Sequence, residues 1–319
     1  MAFDAAYEAL TDHEDDARWA YGTGFVDPLA GVSTVVPSQV ERADLVAYCL
    51  MLGDDALVLS HRLQQWVTRA PELEDELAIA NIALDLLGQA RLLLSRAGEV
   101  EGAGRDEDAL AYLREASEFR NVLLVEREDA DFAHLVARLL VFATWRLALL
   151  DRLATSLDPV LAAIGAKGVK EVTYHREYAA QWMVRLGDGT AESHERMQAA
   201  VDAVWPLVDE LFRPDAVELR LVAAGVAADP AGLCDEFKAI WAQVLGAATL
   251  RPAVTPAADL SAALSGASAA GSSSEPGGRP GAAGGLAEAA GRRGEHTPAF
   301  AGILAELQSL ARSVPGGSW

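Results

Sequence analysis

Residues 45–66 read LVAYCLMLGDDALVLSHRLQQW, and this stretch decides the fold. Within it Leu45, Tyr48, Leu52, Ala56, Leu59, Leu63 and Trp66 recur at three- and four-residue spacing. Side chains so spaced share one face of a helix, so the run predicts a long helix with a single buried stripe. The chain then turns at Arg69-Ala70-Pro71 and resumes with Glu72, Glu74, Asp75 and Glu76. Proline suits a first helical turn, where its missing N–H would be unpaired anyway, and the acids face the positive end of the helix dipole. The second helix is expected to turn Leu73, Leu77, Ala80, Leu84 and Leu87 to the core. Arg91 and Arg96 approach its end, and Gly98 is the expected C-terminal cap.

Outward from this hairpin the pattern repeats. A shorter helical segment covers about 108–126, and a second hairpin follows. Its first helix runs over about 131–155; its second starts at Asp158-Pro159 and ends at Gly187-Asp188-Gly189. Two long helix pairs joined by a longer crossing link make an all-α, ferritin-like four-helix bundle with additional helices. A fifth helix from near Thr190 places Met197, Val201, Val204, Val208 and Leu211 on one face, with a kink expected at Pro206. No stretch alternates as a strand would. Four segments follow from composition: an acidic leader over 1–40, the bundle over 41–250, a linker over 251–297 and a C-terminal helix over 298–319. The linker is rich in Gly, Ser, Ala and Pro and cannot bury enough apolar surface to offset its ordering entropy, so it is expected to be flexible. Phe300, Ile303, Leu304, Leu307 and Leu310 give the last helix a face with which to dock on the bundle.

With 51% hydrophobic residues in 319, the chain can bury a sizeable core. Its formal net charge of -21 repels nucleic-acid phosphates and anionic lipid, which argues against both as partners. Cys49 and Cys234 are too few and too far apart for a disulfide framework or a cysteine metal site. Met1 to Trp19 lacks the basic-then-apolar order of a secretory signal. The most apolar stretch, Leu139 to Leu150, is interrupted by Arg146 and is short for a bilayer. A cytoplasmic location is the simplest expectation.

A helical bundle invites a search for a di-iron site, which takes one Glu from each of two helices and a Glu-x-x-His from each of the other two. Residues three apart share a helix face, so both ligands of such a motif reach the core together. None of the six histidines has a Glu three positions before it. The nearest approach is Lys170-Glu171-Val172-Thr173-Tyr174-His175, where His175 lies on the stripe Gly168, Val172, His175, Ala179, Trp182, Leu186. Val172 stands where the acid is needed, and Glu171 lies one turn before His175. His175 thus reads either as a remnant ligand or as a buried imidazole satisfied by a carboxylate or carbonyl. On the second helix Asn81, Asp85 and Gln89 run at four-residue spacing, and Asp85 with Asn81 suggests a buried polar network. Asp131-x-x-His134 has ligand spacing but falls at a helix start, where Asp131 reads as a cap. Asp54 and Asp55 sit mid-helix, and one is expected to point inward. His61 is left to the surface or an interface. One imidazole and a few short acids fall well below a di-iron complement, so no catalytic, cofactor or metal residue is expected in this chain. The positions of the degenerate site are Asp85, Leu86, Gln89, Glu171, Val172 and His175.

Several stretches together carry a resemblance: 52–60 (LGDDALVLS), 70–74 (APELE), 80–91 (ANIALDLLGQAR), 121–126 (NVLLVE), 170–175 (KEVTYH) and 307–310 (LQSL). They resemble the C subunits of the multicomponent phenylacetyl-CoA epoxidases, over about 44–250 and again over 294–319. The resemblance implies a non-catalytic structural chain that has the same fold as the catalytic A subunit and pairs with it but lacks a working site; the A subunit holds the di-iron cofactor and the CoA thioester. Leu86 and Gln89 stand where that catalytic partner carries the Glu and His of its first motif, and Val172 and His175 stand at the second. It further implies a small B subunit and, indirectly, a flavin/iron–sulfur reductase as partners, in NADPH-dependent phenylacetate breakdown. The alternative is an independent di-metal oxidase or oxygenase with unusual ligands. Helices more apolar than one inner stripe requires suggest a docking face on the first hairpin, around Leu50, Leu57, Ile79 and Ile82, rimmed by Glu72 and Asp75.

Overall fold

The computed structural model describes residues 29–252 and 290–314. α1 (Arg42–Gln64) and α2 (Leu73–Glu101) form one antiparallel hairpin, and α4 (Phe132–Leu153) and α5 (Pro159–Gly187) form the other. The crossing link holds a short α3 (Glu107–Tyr112) and two 3-10 turns, Ala116–Glu118 and Leu123–Glu126. α6 (Ala191–Val204), α7 (Ala216–Ala223) and α8 (Cys234–Ala247) pack around the second hairpin and the start of α1, and α9 (Pro298–Ser313) lies against α1 and the link. No strand occurs among the described residues.

Side-chain caps set the starts of both helices of the second hairpin. Asp131 accepts from the His134 N–H at 3.1 Å, and Asp158 accepts from the Leu161 N–H at 2.9 Å with Pro159 at the first helical position. α4 is buried on all sides from Leu135 to Leu150, and within that mostly apolar stretch Arg138 and Arg146 are the charged residues. By length and composition α4 and α2 could each cross a bilayer, but α4 has its apolar surface enclosed by the bundle. α5 approaches it closely at Gly165, where a Cβ would lie 2.6 Å from the Ala154 nitrogen and 2.8 Å from the Leu150 oxygen.

α2 faces the other way from the expectation. Leu73, Leu77 and Leu84 are 66%, 58% and 46% exposed, while Ile79, Ile82, Ala83, Leu86, Ala90 and Leu93 form the buried side. Both stripes are apolar at helical spacing, so periodicity alone could not choose between them. The buried one also carries Asp75, Gln89 and Arg96, which offsets its apolar signal. Leu57, Ile79 and Ile82 are therefore core rather than docking surface, Leu50 is half-buried, and Asp75 is buried rather than at a rim.

Gly98 is not the cap: α2 runs on to Glu101, and Gly102, with φ +71°, ends it in the left-handed region. Gly98 is instead a point of contact, where a Cβ would sit 2.1 Å from the Arg105 carbonyl oxygen. Pro71 precedes α2, whose N-cap is Glu72. Pro206 ends α6 and opens a 3-10 turn, Trp205–Leu207, instead of kinking one continuous helix. In α9 Phe300, Ile303 and Leu304 are buried, Leu307 packs against the core, and Leu310 is exposed.

Of the expected linker, residues 253–289 lie outside the described residues, as do 1–28 of the leader. Residues 290–297 belong to the body. A 3-10 turn, Gly291–Arg293, carries Arg292 into the core, where it donates to Asp55 at 2.9 and 3.0 Å and to the Met51 and Arg120 carbonyls. His296 Nδ1 lies 2.6 Å from buried Glu126, which also accepts from the Thr297 N–H at 2.7 Å. Three more buried pairs tie the fold together: Arg96–Asp158 at 2.5 Å, Arg114–Asp54 and Arg138–Asp129.

Removing one member of such a pair strands a charge in the core. Asp55→Ala is expected to cost about 3–5 kcal/mol in chemical denaturation. Asp55→Leu combined with Arg292→Met should cost less than the sum of the single changes. Additive losses would show that the pair is not coupled.

Candidate functional site

α2 and α5 run antiparallel and bring the sequence-derived positions together across one seam. His175 is buried on α5, with Nε2 2.9 Å from Asp85 Oδ2 on α2. The buried-imidazole alternative therefore describes its surroundings. Asn81 is exposed, so it is Asp85 and His175, not Asp85 and Asn81, that pair. One turn further along, Gln89 Nε2 donates to Glu171 Oε2 at 3.1 Å, and Glu171 also accepts from Lys167. Glu171 thus turns to Gln89 and Lys167. Leu86 and Val172 are fully buried and offer no donor atom to a metal. Both Asp54 and Asp55 point inward, each held by an arginine. Half-buried His61 meets Glu306 of α9 at 3.2 Å.

The group at the centre of this arrangement is Arg146 on α4. It is fully buried, and its Nε and Nη2 each lie 3.4 Å from Gln89 Oε1, while Nη1 has no hydrogen-bond partner among the described residues. Burial pulls its pKa down to about 10, with Asp55 and Tyr48 acting in the opposite direction. It remains a cation at neutral pH. Burial likewise raises the Asp55 carboxyl, while Arg292 and Arg146 pull it down. Gln89 is held at both ends of its amide, by Arg146 on one side and Glu171 on the other. The site's electrostatics are those of a resident guanidinium placed among helices from both hairpins.

A second cluster closes the seam. Asp75 Oδ1 accepts from Tyr178 Oη at 3.0 Å and from Trp182 Nε1 at 2.8 Å, and Trp182 packs edge-on to Phe132. Burial and the hydrogen bond to Asp75 push the Tyr178 hydroxyl up, so it stays protonated and donating. Sequence reading passed over Arg146 and Asp75 as site residues, although both signals were visible. A charge inside a mostly apolar, buried helix requires a partner, and so does an acid on a buried face.

Among the described residues no three His, Cys, Asp or Glu side chains converge as a metal site would require. Two long antiparallel hairpins with inward positions paired across α2 and α5 define a ferritin-like helical bundle. The chain belongs to the phenylacetic acid catabolic protein family, which residues 33–261 match. It is 42% identical, over 275 residues, to the C subunit of the 1,2-phenylacetyl-CoA epoxidase of Escherichia coli (strain K12), across 86% of this chain and 99% of that relative.

The Arg146 charge makes a specific prediction. Leu86→Glu, Gln89→His and Val172→Glu together should leave the chain without stoichiometric iron, because the new acids meet the guanidinium first. Adding Arg146→Glu to that triple change should raise iron content measured by plasma mass spectrometry. Equal iron with and without Arg146 would refute its role.

Proposed function

We propose that this chain is the non-catalytic structural subunit of a multicomponent phenylacetyl-CoA epoxidase in phenylacetate catabolism. It supports a di-iron catalytic chain of related fold, within a complex that also includes a small subunit and, indirectly, a flavin/iron–sulfur reductase. One observation carries the reading: the inward positions of the bundle hold Leu86, Val172, a doubly bound Gln89 and the Arg146 cation. A di-iron pair does not fit these residues. Two metal cations there would find Asp55, Asp85 and Glu171 already engaged by Arg292, His175 and Gln89, and would face a buried positive charge. No step of an oxygenation is therefore assigned to this chain.

A bundle of this kind acts through contact, and the outer face of α2 is the surface it offers. Leu73, Leu77 and Leu84 form an exposed apolar line, with Glu72 and Glu74 beside its start. Near the other end of α2, Arg91 and Ser95 bond to Glu107 of α3, which covers that part of the same face. The open half is where the catalytic subunit is proposed to dock, with basic side chains facing the acids. Stable subunit interfaces bury on the order of 2,000 Å² around apolar anchors.

Leu77→Asp with Leu84→Asp should abolish co-elution with the catalytic subunit in size-exclusion chromatography, because the charges fall at the centre of the contact. Glu72→Lys should mainly slow association, measured by stopped flow. Normal co-elution of the folded double variant would move the docking face elsewhere. Two irons per purified chain would overturn the structural assignment itself.

A further inference from the structure

On a chain with a formal charge of -21, one groove carries the opposite sign. It holds about 510 Å³ between α1, the last turn of α2 and the crossing link. Half-buried Val46, Ala47 and Leu50, with Val100 of α2, form an apolar floor. Four arginines line it against two acids, Glu101 and Glu118, and both acids are engaged by Arg105. Arg114 is matched by Asp54. Arg42 and Arg120 differ from these. Arg42 Nη2 donates to the Val100 carbonyl at 2.6 Å, and Arg120 Nη1 donates to the Ser117 and Phe119 carbonyls at 2.7 and 2.8 Å. Among the described residues these two side chains bond to neutral oxygens only, so two positive charges stand beside an apolar floor without a neutralising carboxylate.

An occupant for such a groove needs an apolar stripe flanked by acids, and the chain carries one. In the leader, Phe3, Ala6, Tyr7 and Leu10 recur at three- and four-residue spacing. Asp4, Glu8 and Asp12 run beside them at four-residue spacing, and residues 1–28 contain one arginine, Arg18, and no lysine. The leader also joins the body at the right place. Thr34, Val35 and Val36 line a neighbouring cleft of about 450 Å³ that shares Arg42 and Val100 with the groove. At roughly 3.3 Å per extended residue, the intervening chain spans the distance with ample slack.

We propose that this groove is a docking site for the chain's own acidic leader. Residues 3–16 seat the Phe3, Tyr7 and Leu10 stripe on the floor and set Asp4, Glu8 and Asp12 against Arg42 and Arg120. The site lies on the α1 side of the first hairpin, apart from the outer face of α2, and does not depend on the docking proposed there.

Hydrogen exchange of the full chain, read by mass spectrometry, tests this. Amides of residues 4–16 should exchange on the order of tenfold more slowly than in a free peptide of the same sequence. The protection should be lost in Ala47→Arg, which fills the floor, and reduced in Arg42→Glu with Arg120→Glu, which reverses the rim. Added salt should weaken it in the parent chain, as expected for partly exposed charges. The surface charge variant keeps the test valid if Ala47→Arg fails to fold. A leader without protection, or with protection that survives both variants, overturns the proposal. Protection that rises with protein concentration would place the leader in a second copy and would overturn it equally.

Discussion

A charge taken out of water has to be met, and much of this architecture answers that requirement. Arg96 reaches from α2 to Asp158 at the start of α5 and links the two hairpins; Arg114 binds the crossing link to α1 through Asp54. Arg292 ties the C-terminal segment to Asp55, and Arg138 holds Asp129 just before α4. Apolar burial supplies the larger driving force, but it varies little when one helix slides on another. An ion pair does not tolerate such a slide: either partner alone would remain buried and uncompensated, at a cost of several kcal/mol. The pairs thus penalise alternative registers that the apolar core alone would discriminate weakly.

The same rule separates what could be read in the sequence from what could not. The helix starts were legible because caps are local: Asp131 and Asp158 each meet an N–H three residues ahead. α1 was legible because one stripe dominates it. The orientation of α2 was not, because it carries two apolar stripes and places its partnered polar residues on the buried one. Residues 290–297 were hidden for a different reason. They carry no apolar stripe of their own, and one arginine accounts for much of their anchorage. The destination of that arginine, 237 residues away in sequence, is not a local property.

At the bundle centre, the positions read as a degenerate site do adjoin one another. Asp85 meets His175, and Gln89 meets Glu171. The spacing of Leu86, Gln89, Val172 and His175 made that much legible, since residues three apart share a face. Arg146 was seen only as a break in an apolar run. Its helix is central, so a charged side chain on it can only end inside the molecule. The guanidinium lies inside the bundle, and Gln89 presents to it an oxygen without the charge of a carboxylate.

The Arg292–Asp55 pair also bears on how the protein is made. Asp55 leaves the ribosome with the first long helix, 237 residues before its guanidinium partner. Throughout that interval the first hairpin carries an acid that its final burial cannot yet accommodate. That hairpin can reach its finished packing only once the C-terminal segment is available, so a prematurely terminated chain retains a loosened first hairpin. Synthesis of the later segment is in this way registered inside a part of the molecule made before it.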